Sequence, residues 1–171
     1  MTTSKHIILT GFMGVGKSTV GKLVAQKLNL PFVDLDAEIA KSTGMPVDFY
    51  IHRFGVEAFR RWERRLLGQA LRQQASVLVP GGGIVMDPEN RKKMKQFGLV
   101  VWLKAPKKVL LERLQDQLRP LLAERDRGAQ MERLLKERWP YYQECTCAVE
   151  TTFLKPEQVA DEVVKQLGVS S

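Results

Sequence analysis

Residues 11–19 read Gly11-Phe12-Met13-Gly14-Val15-Gly16-Lys17-Ser18-Thr19. The pattern G-x-x-x-x-G-K-[ST] falls on Gly11, Gly16, Lys17 and Ser18, a complete phosphate-binding loop. Each position has a physical task. Glycines let backbone N–H groups close around phosphate oxygens. Lys17 reaches the β and γ phosphates of a nucleoside triphosphate, and the Ser18 hydroxyl can ligate Mg²⁺. The helix that begins near Lys17 aims the positive end of its dipole at the same anion. The flanks fit the loop. His6 to Thr10 is a short apolar run that reads as a buried strand. Val20, Leu23, Val24 and Leu28 follow at helical spacing. A dinucleotide fingerprint fits worse, because Gly14-x-Gly16 would need a third glycine where Thr19 stands.

Outward from the loop, strand and helix alternate. Phe32 to Asp36 reads as a strand ending in two carboxylates, followed by a short helix over 37–43 stopped by Gly44-Met45-Pro46. Residues 47–73 read as mostly helical with a break around Gly55. Ser76 to Val79 is a buried strand that runs into Pro80-Gly81-Gly82-Gly83. Asp87-Pro88-Glu89 carries the N-cap, N1 proline and acidic first turn of a helix that ends at Phe97. Leu99 to Leu103 and Thr146 to Glu150 are further strands. Helices are expected over about 106–117, 129–142 and 156–167. Five apolar strands alternating with helices predict an α/β fold with a five-stranded parallel sheet covered on both faces, a three-layer α/β/α sandwich. Ligands of such sheets sit beyond the carboxyl ends of the strands, where Gly11, Asp36 and Gly81 all fall.

The chain has 171 residues, a length for one domain spanning 1–171 with a core that needs no staple. Its only cysteines, Cys145 and Cys147, suit neither a zinc site nor a familiar redox motif. No membrane-length apolar run or targeting segment is visible, so the expected compartment is the cytoplasm. The net charge of +8 could serve nucleic acid or anionic substrates. Basic residues spread along several helices, with no tail, favour the small anion, with no nucleic acid and no membrane as partner.

In order and spacing these elements resemble shikimate kinase, a family of P-loop kinases similar to the nucleoside-monophosphate kinases. The resemblance rests on Gly11 to Thr19, Asp34-Leu35-Asp36, Phe59-Arg60-Arg61-Trp62-Glu63, Gly81 to Gly83, Arg119-Pro120-Leu121-Leu122, and Arg138 with Tyr142, and it covers nearly the whole chain. It implies a P-loop kinase architecture with a substrate-binding helical region at about 37–64 and a lid at about 113–127. It implies transfer of the γ-phosphoryl group of ATP to the 3-hydroxyl of shikimate, with Mg²⁺, by a monomer.

The resemblance carries roles onto individual residues. Gly14, Val15, Gly16, Lys17, Ser18 and Thr19 would hold ATP, with Arg119 and, at the adenine, Arg113 and Lys155. Ser18 and Asp34 would serve the metal, Asp34 through water. Asp36, Arg60, Gly82, Gly83 and Arg138 would bind shikimate, and Phe59 and Pro120 would wall its pocket. Catalysis would fall to Asp36 as base and positioner, Lys17, and Arg119 as lid arginine. The chemistry of the residues agrees. Asp34 and Asp36 would share one face of a regular strand. Arg60 and Glu63 are three apart on a helix, so Glu63 can support a guanidinium fork suited to a carboxylate. Pro80 stands where the family usually carries a small hydroxylated residue, and the lid is about a residue short between Arg113 and Arg119. A gluconate or nucleotide kinase shares this architecture; the Arg60 and Arg138 pair favours a small carboxylate over a nucleotide. A GTPase would need a guanine-reading Asn-Lys-x-Asp, which the chain lacks. A P-loop module that binds ATP without turnover is opposed by Lys17, Asp36 and Arg119 standing together.

Overall fold

All five residues of β1 (His6–Thr10) are buried, as a strand must be when it is flanked on both edges and covered on both faces. The computed structural model describes residues 5–118 and 127–169. β1 pairs in parallel with β3 (Val77–Val79) through Ile7 and Ile8, and with β4 (Gly98–Lys104) from His6 to Thr10. β2 (Phe32–Asp34) and β5 (Cys147–Glu150) complete a parallel sheet in the order β2-β3-β1-β4-β5.

The connections decide the layers. From β1 the chain crosses toward β2 through α1 (Lys17–Leu28); from β3 it crosses the other way to β4 through α5 (Pro88–Phe97). Right-handed crossovers running in opposite directions put their helices on opposite faces. α1 packs against α8 (Pro156–Leu167) on one face, while α5 and α4 (Val56–Ala70) contact each other on the other. Because the two connections diverge, a crevice opens at the carboxyl ends of β1 and β3.

Local chemistry explains the element ends. Gly16 sits at φ 97°, the left-handed conformation that turns the loop into α1 and that a side chain would strain. Asp87 caps α5 by accepting from the Glu89 N–H at 2.8 Å, with Pro88 at the first helical position. Gly55, at φ 84° and ψ 161°, separates α3 (Val47–Phe54) from α4, the break expected there. α6 (Lys107–Leu118) and α7 (Arg127–Tyr142) bound the remaining described stretches, and a short 3₁₀ turn (Ile84–Met86) follows the triple glycine.

One expectation is corrected. Asp36 does not lie on a strand beside Asp34. β2 ends at Asp34, and α2 (Leu35–Thr43) begins at once. The Asp34 carboxylate accepts from the N–H groups of Asp36 and Ala37, at 3.1 and 3.3 Å. Satisfying two orphan donors this way starts a helix in place of another strand residue.

Candidate active site

The loop and first turn of α1 carry Lys17, whose Nζ donates to the Phe12 carbonyl at 3.1 Å. Burial pulls its pKa down from the usual 10.5 to about 8, helped by Arg138 and opposed by the nearby Asp36 and Asp34 charges. The Ser18 hydroxyl donates to Asp34 Oδ2 at 2.8 Å. Asp34 therefore uses one oxygen to cap α2 and turns the other toward the loop.

Asp36 sits in the first turn of α2 and faces the same crevice, so the helix reaches by rotation what a strand would have reached by alternation. Its Oδ1 is buried and has no hydrogen-bond partner among the described residues. Burial first, then the Asp34 charge, raises its pKa above the ordinary 3.8, while Lys17 and Arg60 oppose the rise. Asp48, in the first turn of α3, adds a third negative charge and lines the crevice, whose volume is about 580 Å³.

On α4, Arg60 Nη1 donates to Glu63 Oε2, and the guanidinium lies 5.3 Å from the centroid of the Phe59 ring. Glu63 is fully buried; burial raises its pKa against the pull of Arg60. The triple glycine fits between these groups. A Cβ on Gly81 would stand 2.9 Å from Asp36 Oδ1 and 3.1 Å from Glu63 Oε1, and one on Gly83 would overlap the Arg60 guanidinium. From α7, Arg138 is 9% exposed, with its guanidinium 5.8 Å from the Phe12 ring centroid, and Tyr142 donates to the Gly82 carbonyl at 2.5 Å. Lys17, Ser18, Asp34, Asp36, Arg60, Glu63, Gly82, Gly83 and Arg138 thus converge from six separate elements and loops.

A second cavity, about 210 Å³, continues past Gly14, Val15, Gly16 and Thr19 to Arg113, Leu154 and Pro156. Arg113 is not free to stack there without rearranging: it donates to the Thr151 hydroxyl and carbonyl, both at 3.3 Å. Lys155 is exposed at the N-cap of α8, while its neighbours Leu154 and Pro156 line the cavity. Arg119 and Pro120 lie outside the described residues, as does most of the expected lid beyond α6.

Among the described residues no three His, Cys, Asp or Glu side chains cluster as a metal cage. Cys145 and Cys147 are free thiols whose pKa values burial pushes up. No described helix is long and apolar enough to cross a membrane. Sequence reasoning assigned no role to Asp48 or to the Tyr142 hydroxyl. An acidic residue in a helix first turn has an ordinary explanation, and a tyrosine at helical spacing reads as core.

A family profile described as shikimate kinase matches residues 13–168. The shikimate kinase of Caldicellulosiruptor bescii is 38% identical over 94% of this chain and 94% of its own length. That of Thermodesulfovibrio yellowstonii is 39% identical over 95% and 94%. Among solved structures, the shikimate kinase of Acinetobacter baumannii in complex with shikimate superimposes with a TM-score of 0.88 at 33% identity, covering 97% of this chain and 94% of that one.

Proposed function

The chain belongs to the shikimate kinase family, and we propose that its crevice transfers the γ-phosphoryl group of ATP to the 3-hydroxyl of shikimate. The observation that carries this reading is the Asp36 carboxylate, with one buried oxygen unpartnered among the described residues, facing the crevice beside Lys17.

Phosphoryl transfer asks a protein mainly to align two reactants and to balance charge. The loop N–H groups and the α1 N-terminus hold the phosphates, and Lys17 bridges toward the transferred group. For that it leaves the Phe12 carbonyl, to which it is now bonded. Arg60 and Arg138 take the shikimate carboxylate, Glu63 keeping the Arg60 fork aligned. With the acid so anchored, the Gly82 N–H and the Asp36 carboxylate meet its hydroxyl side, and the Gly83 N–H meets it beside Arg60. Asp36 orients the attacking hydroxyl and accepts its proton; its raised pKa suits that task better than an ordinary aspartate's. Arg119 would neutralise the transferring phosphoryl, and adenine would lie in the cavity edged by Leu154 and Pro156.

Mg²⁺ fits this site by its donor chemistry. Ser18 Oγ and Asp34 Oδ2, 2.8 Å apart beside the loop, are hard oxygens, and a cation that keeps most of its waters and binds phosphates needs few protein ligands. When bound, it neutralises charge on the β and γ phosphates; Ser18 would hold it directly and Asp34 through water.

The test is an ADP-release assay with Mg-ATP and shikimate, with gluconate and nucleoside monophosphates run alongside. Shikimate-dependent turnover that disappears in Lys17→Ala supports the reading. Turnover with another acceptor only would discard the carboxylate-binding roles of Arg60 and Arg138.

A further inference from the structure

Tyr142 ties the triple-glycine turn to α7, the helix that carries Arg138. It sits four residues after Arg138, hence on the same face of α7. Its ring is 1% exposed and stacks on Trp102 with centroids 6.1 Å apart, so the hydroxyl has a fixed position. That hydroxyl donates to the Gly82 carbonyl at 2.5 Å. Gly82 is closely packed as well: a Cβ there would lie 3.3 Å from the Gly11 carbonyl oxygen and 3.5 Å from Arg138 Nη1.

Peptide geometry carries the consequence. The Gly82 carbonyl and the Gly83 N–H belong to one trans peptide, so they point in opposite directions. Holding the carbonyl on Tyr142 aims the Gly83 N–H away from α7. No described residue accepts from that N–H, and Gly83 packs directly against the Arg60 guanidinium. A run of three glycines without this tie would have wide rotational freedom. Burial pushes the Tyr142 phenol up to about 12, so it keeps its proton as a donor throughout the neutral range.

We infer that Tyr142 is a positioning residue for the acceptor: its hydroxyl locks the Gly82–Gly83 peptide so that the Gly83 N–H presents to the acid substrate beside Arg60. The inference rests on the functional reading above. It assigns the hydroxyl a task that core packing of the ring does not require.

The experiment is Tyr142→Phe in the full chain, which keeps the ring and removes only the donor. KM for shikimate is expected to rise roughly three- to tenfold, the loss of about one hydrogen bond's net effect, with KM for ATP unchanged. ¹⁵N relaxation should show a more mobile Gly83 amide in the variant without any ligand. An unchanged KM for shikimate, or a Gly83 amide as ordered as in the parent, would overturn the inference. If the parent protein phosphorylates no shikimate, the functional reading fails by itself, and the Gly83 amide still decides whether the lock exists.

Discussion

Asp36 Oδ1 and Glu63 Oε1 converge on one point over Gly81, 2.9 and 3.1 Å from where a Cβ would stand, and neither has a hydrogen-bond partner among the described residues. One comes from α2 and the other from α4. Only a glycine leaves that space open. Gly81→Ala should push the proposed base and the Arg60 support apart, and a displacement near 1 Å is worth roughly 10²-fold in rate. Steady-state kcat beside a thermal melt checks this; parental kcat in the folded variant would mean the space is slack.

The same carboxylate sets the acid side of the pH profile. Burial and the Asp34 charge raise Asp36 above 3.8, so activity should begin to fall, as pH drops, earlier than for an exposed aspartate. Asp36→Asn should lower kcat by roughly 10²–10⁴-fold and remove that limb. Near-normal turnover in the variant would take Asp36 out of the role of base.

The alkaline side belongs to Lys17. Its pKa, down to about 8, means that free enzyme loses the loop cation as pH rises through that value. kcat/KM for ATP should therefore decline above about pH 8, while kcat holds further because bound phosphates favour the charged amine. A kcat/KM that stays flat well above this range would show that Lys17 keeps its charge in the free loop.

Asp34 has two separable tasks. Asp34→Asn keeps a cap acceptor and loses the charge, so it should raise the Mg²⁺ concentration needed for half-maximal activity with little change in Tm. Asp34→Ala should also lose about 1 kcal/mol of stability with the α2 cap. Equal Mg²⁺ dependence in Asn variant and parent would leave Asp34 with the cap alone.

At the opposite end of the sheet, His6 is 4% exposed with Nδ1 3.0 Å from Ser76 Oγ, and burial lowers its pKa below 6.5. The unfolded chain then binds the proton more readily than the folded one. The stability this represents is present above pH 6.5 and is lost as pH falls through the folded value. Denaturant titrations at stepped pH should show a shallower decline in His6→Gln than in the parent. Parallel declines would assign the loss to carboxylates.

Much of this site was legible in the chain itself because its chemistry is local. Gly11 to Thr19 must bend in a way only that spacing permits. Asp87-Pro88 starts a helix wherever it occurs, and Arg60 with Glu63 pairs across a single helical turn. The reading of Asp36 as a strand residue erred for a reason equally local but finer: Val33, Asp34, Leu35 and Asp36 alternate apolar and polar as a strand does, and the Asp34 cap on the Asp36 and Ala37 N–H groups tips the balance. Arg113 was assigned to adenine from resemblance, and its bonds to Thr151 depend on where β5 delivers residue 151.

Periodicity and short motifs determined the strands, the helices and the phosphate loop, since those follow from contacts a few residues apart. The sheet order, the meeting of Asp36 with Glu63 over Gly81, and the grip of Tyr142 on Gly82 needed the folded chain. They join residues separated by 27 and 60 positions, and at such distances only the parallel sheet, its crossover hand and the packing of α2, α4 and α7 decide which side chains arrive at one point.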